Sequence, residues 1–273
     1  MDIYEKKGYL KDNFKIFHLT DNGKREFEFH YHDFYKVLIF LRGNVNYCIE
    51  GKTYALAPYD IVLVGEGEIH RPVVLDDSDY ERIIAYISPE FLKNSGGVDL
   101  RLCFESVREH DSNVVRIPAV RSGEIRDLCL QLETAVEDKE FGSELLTDIK
   151  FLEFMIKLNR AVLNRNTEYI PKSANSKIQE ITRYINDNIK EELDIDTISN
   201  HFYISRYHLM HMFKAGTGCT VHSYITQKRL LCARALIQSG KSITEACYDS
   251  GFKNYDSFLR SYKKSFGTTP KHN

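Results

Sequence analysis

Ser205-Arg-Tyr-His-Leu209-Met-His-Met-Phe213-Lys214-Ala-Gly-Thr-Gly218 sets apolar residues four apart between a helix-capping serine and a helix-ending glycine. Asn254-Tyr-Asp-Ser-Phe258-Leu-Arg-Ser-Tyr262-Lys263-Lys-Ser-Phe-Gly267 repeats the arrangement. Leu209 to Phe258 and Phe213 to Tyr262 are each 49 residues, while Ile195 to Ile243, upstream of each, is 48. One extra residue in the second turn accounts for the difference. Asp194 caps a helix carrying Ile195, Ile198 and Phe202; Ser242-x-x-Glu245 forms a capping box ahead of Ile243 and Ala246. Between the copies, Val221 to Gln238 carries Ile225, Leu230, Ala233, Leu236 and Ile237 at helical spacing and stops at Ser239-Gly240. Ile178, Ile181, Ile185 and Ile189 mark a further helix in front. Two helix-turn-helix units, 194–216 and 242–266, joined by one helix of fixed length are a far stronger signal than one.

The charge distribution singles out the same half. The 273 residues hold 37 Lys+Arg against 39 Asp+Glu, a net charge of −2, which alone argues against a nucleic-acid binder. Residues 173–273 carry 14 basic and 9 acidic side chains, or +5, so residues 1–172 carry 23 and 30, or −7. From Phe202 onward the balance is 11 to 3. That asymmetry points to an anionic partner for the C-terminal part. The break falls at 164–175, a polar stretch with Pro171 that reads as a linker between domains 1–163 and 176–273. Hydrophobic residues at 42% and charged residues at 28% exclude wholesale disorder. The longest apolar run, Val37–Leu41, is strand-sized, so no membrane partner is expected. Met1–Lys7 lacks the apolar stretch of a secretory signal, and six scattered cysteines lack any Cys-x-x-Cys pair. Both point to reduced thiols in a cytoplasm.

The first half reads differently. Short β-rich runs at Glu26–His30, Lys36–Leu41, Val45–Ile49, Thr53–Leu56, Ile61–Val64 and Arg82–Ile87, with glycines 43 and 51 in the turns, predict a sandwich or barrel. After Pro89 the period becomes helical, over Ser122–Asp138 (Ile125, Leu128, Leu132, Val136) and Gly142–Asn164 (Leu145, Ile149, Leu152, Ile156). Phe151, Phe154, Met155 and Leu158 widen the second stripe. Such a helix has more to bury than one sheet face, so a second subunit is expected, with burial inside its own domain as the alternative.

Within the strands, His30-x-His32-x3-Lys36-x6-Gly43 and Asp60-x4-Gly65-x-Gly67-x2-His70 resemble the two cupin motifs. His30 and His32 share one strand face, and His70 can converge on them across a barrel. Three imidazoles suit a divalent transition metal. The glutamate ligand of the motif, however, is replaced by Lys36, which has no lone pair when protonated and repels a cation. Tyr59 stands where the motif has a turn glycine, and Gly65 where it has proline. The expectation is a barrel with an organic-ligand pocket and neither metal nor cofactor, against the alternative that the histidines are core or rim residues.

Taken together, the chain resembles the AraC/XylS family of bacterial transcription regulators. The resemblance rests on Ser205-x3-Leu209-x3-Phe213-Lys214-x3-Gly218, Tyr224-Ile225-x3-Arg229-Leu230-x2-Ala233 and Gly251-Phe252-x5-Phe258-x3-Tyr262-Lys263-x3-Gly267-x2-Pro270. His30 to Pro89, ending Tyr86-Ile87-Ser88-Pro89, is similar to the family's sugar-sensing cupin arm. The implied fold is α+β and multidomain: a cupin jelly-roll barrel with dimerisation helices, then an all-α domain with two helix-turn-helix motifs. The implied function is a non-enzymatic, sequence-specific regulator controlled by a small effector. Double-stranded promoter DNA, a second copy of the chain and, for an activator, RNA polymerase are the implied partners.

By the same resemblance, Arg206, Tyr207, Met210 and His211 face bases from the first unit, and Tyr255, Asp256, Leu259 and Arg260 from the second. Two such helices can enter successive major grooves about 34 Å apart. Arg260 can grip guanine bidentately, whereas Arg206, Lys214, Lys263 and Lys264 suit phosphates. Leu259 departs from the family's small or polar residue, and Cys247 from its alanine. Leu259 either touches a thymine methyl or packs; Asp256 either accepts from cytosine or, the blander reading, caps its helix. In the arm, the sugar-contacting positions fall at His30 or His32, His70 and Arg82, with Lys36 and Tyr47 on inward faces. A carbohydrate or derivative is the expected effector and an anionic metabolite its rival. A ligand-independent regulator whose barrel only dimerises, and a cupin enzyme with a DNA-binding tail, are the competing functions.

Overall fold

A computed structural model describes residues 10, 12–23, 25–93, 97–174 and 176–270; Met1–Lys7, Asn175 of the linker and the last three residues lie outside them. Strands β1 (Phe14–Asp21), β2 (Tyr35–Arg42), β3 (Val45–Ile49), β4 (Lys52–Ala55), β5 (Ile61–Val64), β6 (His70–Val74) and β7 (Tyr80–Ile87) come first. Helices α1 (Pro89–Lys93) and α2 (Leu102–Glu109), strand β8 (Val114–Arg116) and the paired helices α3 (Ala119–Glu137) and α4 (Ser143–Val162) follow. The connecting segment forms β9 (Glu168–Tyr169) and β10 (Ser173–Ala174). Six helices close the chain: α5 (Ser176–Asp187), α6 (Ile195–His201), α7 (Arg206–Thr217), α8 (Val221–Gln238), α9 (Ile243–Asp249) and α10 (Tyr255–Phe266).

The strands make two antiparallel sheets, ordered β1-β7-β2-β5-β8-β9 and β10-β4-β3-β6. Period-two alternation then decides what each residue meets. Val37 and Ile39 of β2, with Leu63, Ile83 and Ala85, join α1–α4 in one core outside the larger sheet. Leu38 and Phe40 join Tyr47, Ile49, Tyr54, Val62 and Ile84 in a second core between the sheets. Each such side chain, fully buried, contributes about 1.5–3 kcal/mol. Lys36 has the parity of Leu38 and Phe40, and so points into the barrel.

The structure corrects several sequence expectations. Glu26–His30 is not a strand: only His30 bridges, to His70. Strands β1 and β6 lay outside the runs read as strands. The linker is not loose chain, since β9 adds to β8 and β10 to β4, tying the exit of the barrel to both sheets. Tyr59 keeps the turn glycine's backbone, at φ 71, despite its side chain.

In α4, Phe151, Phe154, Met155 and Leu158 are buried against the barrel. The opposite stripe is left in solvent: Leu145 is 65%, Ile149 52% and Ile156 37% exposed. No described helix is long and apolar enough to cross a membrane.

Candidate nucleic-acid interface and effector cluster

The two helix-turn-helix units form as their caps dictate. Asp194, Ser205 and Asn254 accept from the backbone N–H groups of Thr197, His208 and Ser257, and Ser242 with Glu245 closes a capping box. Gly218 and Gly267 end α7 and α10 in left-handed conformation. Leu209 and Phe213 anchor α7, and Phe258 and Tyr262 anchor α10, in separate cores. Arg206, Tyr207, Met210, His211 and Lys214 of α7 are exposed, as are Asp256, Arg260, Lys263 and Lys264 of α10. Arg206 pairs with Asp196 of α6.

Tyr255 and Asp256 depart from their expected surroundings, while Leu259 takes the packed alternative of its two readings. Leu259 and Tyr255 are half-buried against the second core, so both hold α10 down. Asp256 does not cap, because Asn254 does so from two positions earlier; Asp256 adds only a carboxylate to the first turn. Tyr203, in the turn between α6 and α7, is 96% exposed with φ 54. Offset by 48 residues it matches Gly251 of the second copy, at φ 91. That alignment was the signal that could have singled it out.

Five of the six expected effector residues, Lys36, Tyr47, His30, His32 and His70, meet in one cluster inside the barrel. Lys36 Nζ donates to Tyr47 Oη at 2.9 Å and lies 3.4 Å from His70 Nε2. The His30, His32 and His70 rings lie 4.5 to 5.1 Å apart, centroid to centroid. His30 and His70 each turn Nδ1 to a backbone carbonyl, of Glu28 and Glu68. As Nδ1–H donors they would keep Nε2 as an acceptor. Arg82 stands further back, paired with Asp21 at 2.6 Å and stacked over Tyr80. Tyr86, also lining the cluster beside His32, was missed; its shared parity with Arg82 on β7 would have found it.

Burial dominates the electrostatics. Desolvation, then Arg82, brings Lys36 down to about 7, and desolvation, then Lys36 and the other two histidines, holds His70 well below its ordinary range. Burial keeps the Tyr47 hydroxyl protonated. The imidazole nitrogens lie within 4.8 Å of one another, near enough to share an ion. An amine facing them, in place of a carboxylate, is what a cation site would not choose.

Sequence reasoning missed that the DNA-binding domain packs on this end of the barrel. Residues 29–33 alternate: His30 and His32 face the cluster, whereas Phe29 and Tyr31 pack with the first helix-turn-helix core, and Asp33 pairs with Arg234 of α8 at 3.2 Å. Ile69, next to His70, lies in that same core, and its N–H donates to Glu50. Glu50 in turn accepts from Tyr224 and from Lys228, the latter at 2.9 Å. Gly67, at φ 72, lets Leu231 approach so closely that a β-carbon there would overlap it.

A barrel with a buried polar cluster, seated on a domain with two outward-facing helix-turn-helix units, defines a ligand-binding, DNA-binding regulator. A profile of the AraC-like ligand binding domain matches residues 17–155, and one of a helix-turn-helix domain matches 198–272. The chain belongs to the AraC family of transcription regulators. It is similar to the HTH-type transcriptional activator RhaS of Escherichia coli (strain SMS-3-5 / SECEC), 24% identical over 247 residues covering 90% of this chain and 87% of that one. RhaS of Enterobacter sp. (strain 638) is 23% identical over 243 residues, covering 89% and 85%. Among solved structures, ToxT of Vibrio cholerae O395 matches with 13% identity and TM-score 0.37, covering 94% of this chain and 95% of that one. A Listeria innocua protein of unknown function matches with 26% identity and TM-score 0.33, covering 34% and 90%.

Proposed function

We propose that this chain is a cytoplasmic, homodimeric regulator that binds promoter DNA through α7 and α10 and responds to a small effector held in the barrel. A carbohydrate or derivative is the leading effector, because imidazoles, tyrosines and an amine suit hydroxyl-rich molecules. The barrel acts as a sensor, with no catalytic role. Where the chain activates transcription, RNA polymerase is its further partner.

The observation that carries this reading is the alternation at residues 29–33, by which one segment of chain serves both the cluster and the DNA-binding domain. A ligand alters DNA binding only insofar as it favours one arrangement of the domains over another. One that moves His30, His32 or His70 acts directly on the contacts to α8. Selecting genomic fragments on the purified chain tests the reading. Enriched fragments should share two half-sites about 10–10.5 base pairs apart; no enrichment would overturn it.

Dimerisation is assigned to the outward stripe of α4, where Leu145, Ile149 and Ile156 leave apolar surface in solvent. The double substitution Leu145→Glu, Ile149→Glu should give a monomer in sedimentation; an unchanged dimer would place the interface elsewhere.

A further inference from the structure

Lys36 is 4% exposed, yet no acid stands beside it among the described residues. From β3 it meets Tyr47, and from β6 His70. From β7 it faces its cross-strand partner Tyr86 and, further off, Arg82. His30 and His32 complete the surroundings around His70. The nearby carboxylates are committed elsewhere: Asp21 to Arg82, Glu50 to Tyr224 and Lys228, Glu68 to Gly65 N–H and Asn113. A buried amine is ordinarily given a counter-charge or replaced by an apolar side chain, because desolvating the ammonium is costly. Here it is kept, with three imidazoles that become donors when protonated.

We propose that the effector is a small organic anion, a carboxylate or phosphate ester, whose charged group seats against Lys36 among His30, His32 and His70. The proposal rests on the effector-controlled reading above and adds the ligand's charge. The anion supplies the missing counter-charge and Lys36 the ammonium, and an imidazole donates to a remaining oxygen only where the bound anion draws a proton onto it. Because free Lys36 titrates near 7, an anion that favours the ammonium draws a proton from solution on binding. Affinity then falls as pH rises above about 7, approaching tenfold per pH unit until the bound amine itself deprotonates.

Three probes share their hydroxyls and differ in charge: glucose, gluconate and glucose 6-phosphate. With inorganic phosphate, each is offered at millimolar concentration to the full chain in thermal-shift and calorimetric titrations at pH 7 and 8.5. The expected result is a raised melting temperature with gluconate, glucose 6-phosphate or both, none with glucose, proton uptake across buffers of different ionisation heat, and weaker binding at pH 8.5. A carboxylate is distinguished from a phosphate by which probe responds. Lys36→Met, checked for unchanged helix content by circular dichroism, should lose the response, and Lys36→Arg should keep part of it. A response to glucose equal to that of the anions would overturn the proposal. So would no response to any oxyanion, or stoichiometric transition metal lost on His70→Ala. DNA retention by the wild-type chain without these compounds is measured alongside, so a failure of the regulator reading appears separately.

Discussion

The two helix-turn-helix units share one architecture and differ in what surrounds them. The core of the first runs on into the barrel through Tyr31 and Ile69. The second has a core of its own, built from Leu230, Ala233, Ala246, Phe258 and Tyr262, and touches the arm where the Ser265 hydroxyl of α10 lies 3.0 Å from that of Tyr31. One half is thus built into the sensor and the other is carried at the far end of α8. A change in the barrel therefore reaches α7 through packing and α10 chiefly through α8 and its Arg234 contacts to Asp33 and Glu66.

The largest effect expected comes from Phe258→Ala, which removes a fully buried ring from the second core at a cost of about 3–5 kcal/mol. Amide exchange should quicken over α9 and α10 and stay slow over α6 and α7; loss of protection in both would show that the halves are one unit. Lys36→Met acts in the barrel alone. The folded value of Lys36 lies below its ordinary 10.5, so the unfolded chain binds more protons between about 7 and 10.5, and native stability rises with pH across that window. Without ligand the variant should therefore be more stable than wild type at pH 6–7, by about 1–3 kcal/mol, with the gap closing toward pH 10. A gap that widens with pH would contradict the assignment. Glu50→Gln weakens the join between barrel and first half by about 1–2 kcal/mol, and limited proteolysis should then open α5–α7 before α9–α10. On DNA, Arg260→Ala should cost about 1–3 kcal/mol at an enriched fragment and little on scrambled DNA. Arg206→Ala should cost less, because Asp196 already neutralises Arg206.

The DNA-binding half was legible because its information is local. The cap at Ser205, the stop at Gly218 and the bounds of α8, Val221–Gln238, all follow from neighbours within a few residues. The barrel was legible in part. Lys36, Tyr47 and His70 could be placed inside by parity, yet β1 escaped notice because Phe14–Asp21 alternates poorly, and Glu26–His30 looked like a strand without a partner to pair with. Asp256 suits a cap by residue type, but position decides capping, and Asn254, which the repeat spacing already sets opposite Ser205, holds the position. Contacts across long sequence separations, Glu50 to Tyr224 or Asp33 to Arg234, leave no local pattern at all. The near-zero net charge concealed a basic domain behind an acidic one.

The central claim is that this chain reads DNA by sequence, and a salt titration of wild-type protein on one enriched fragment and its scrambled counterpart tests it most directly. Basic side chains such as Lys214, Lys263 and Lys264 are expected to displace counterions from phosphates, so log K should fall linearly and steeply with log salt on both. The enriched fragment should stay tighter by about a thousandfold or more at physiological salt. Equal affinity for the two fragments, or no retention of either at low ionic strength, would contradict the account.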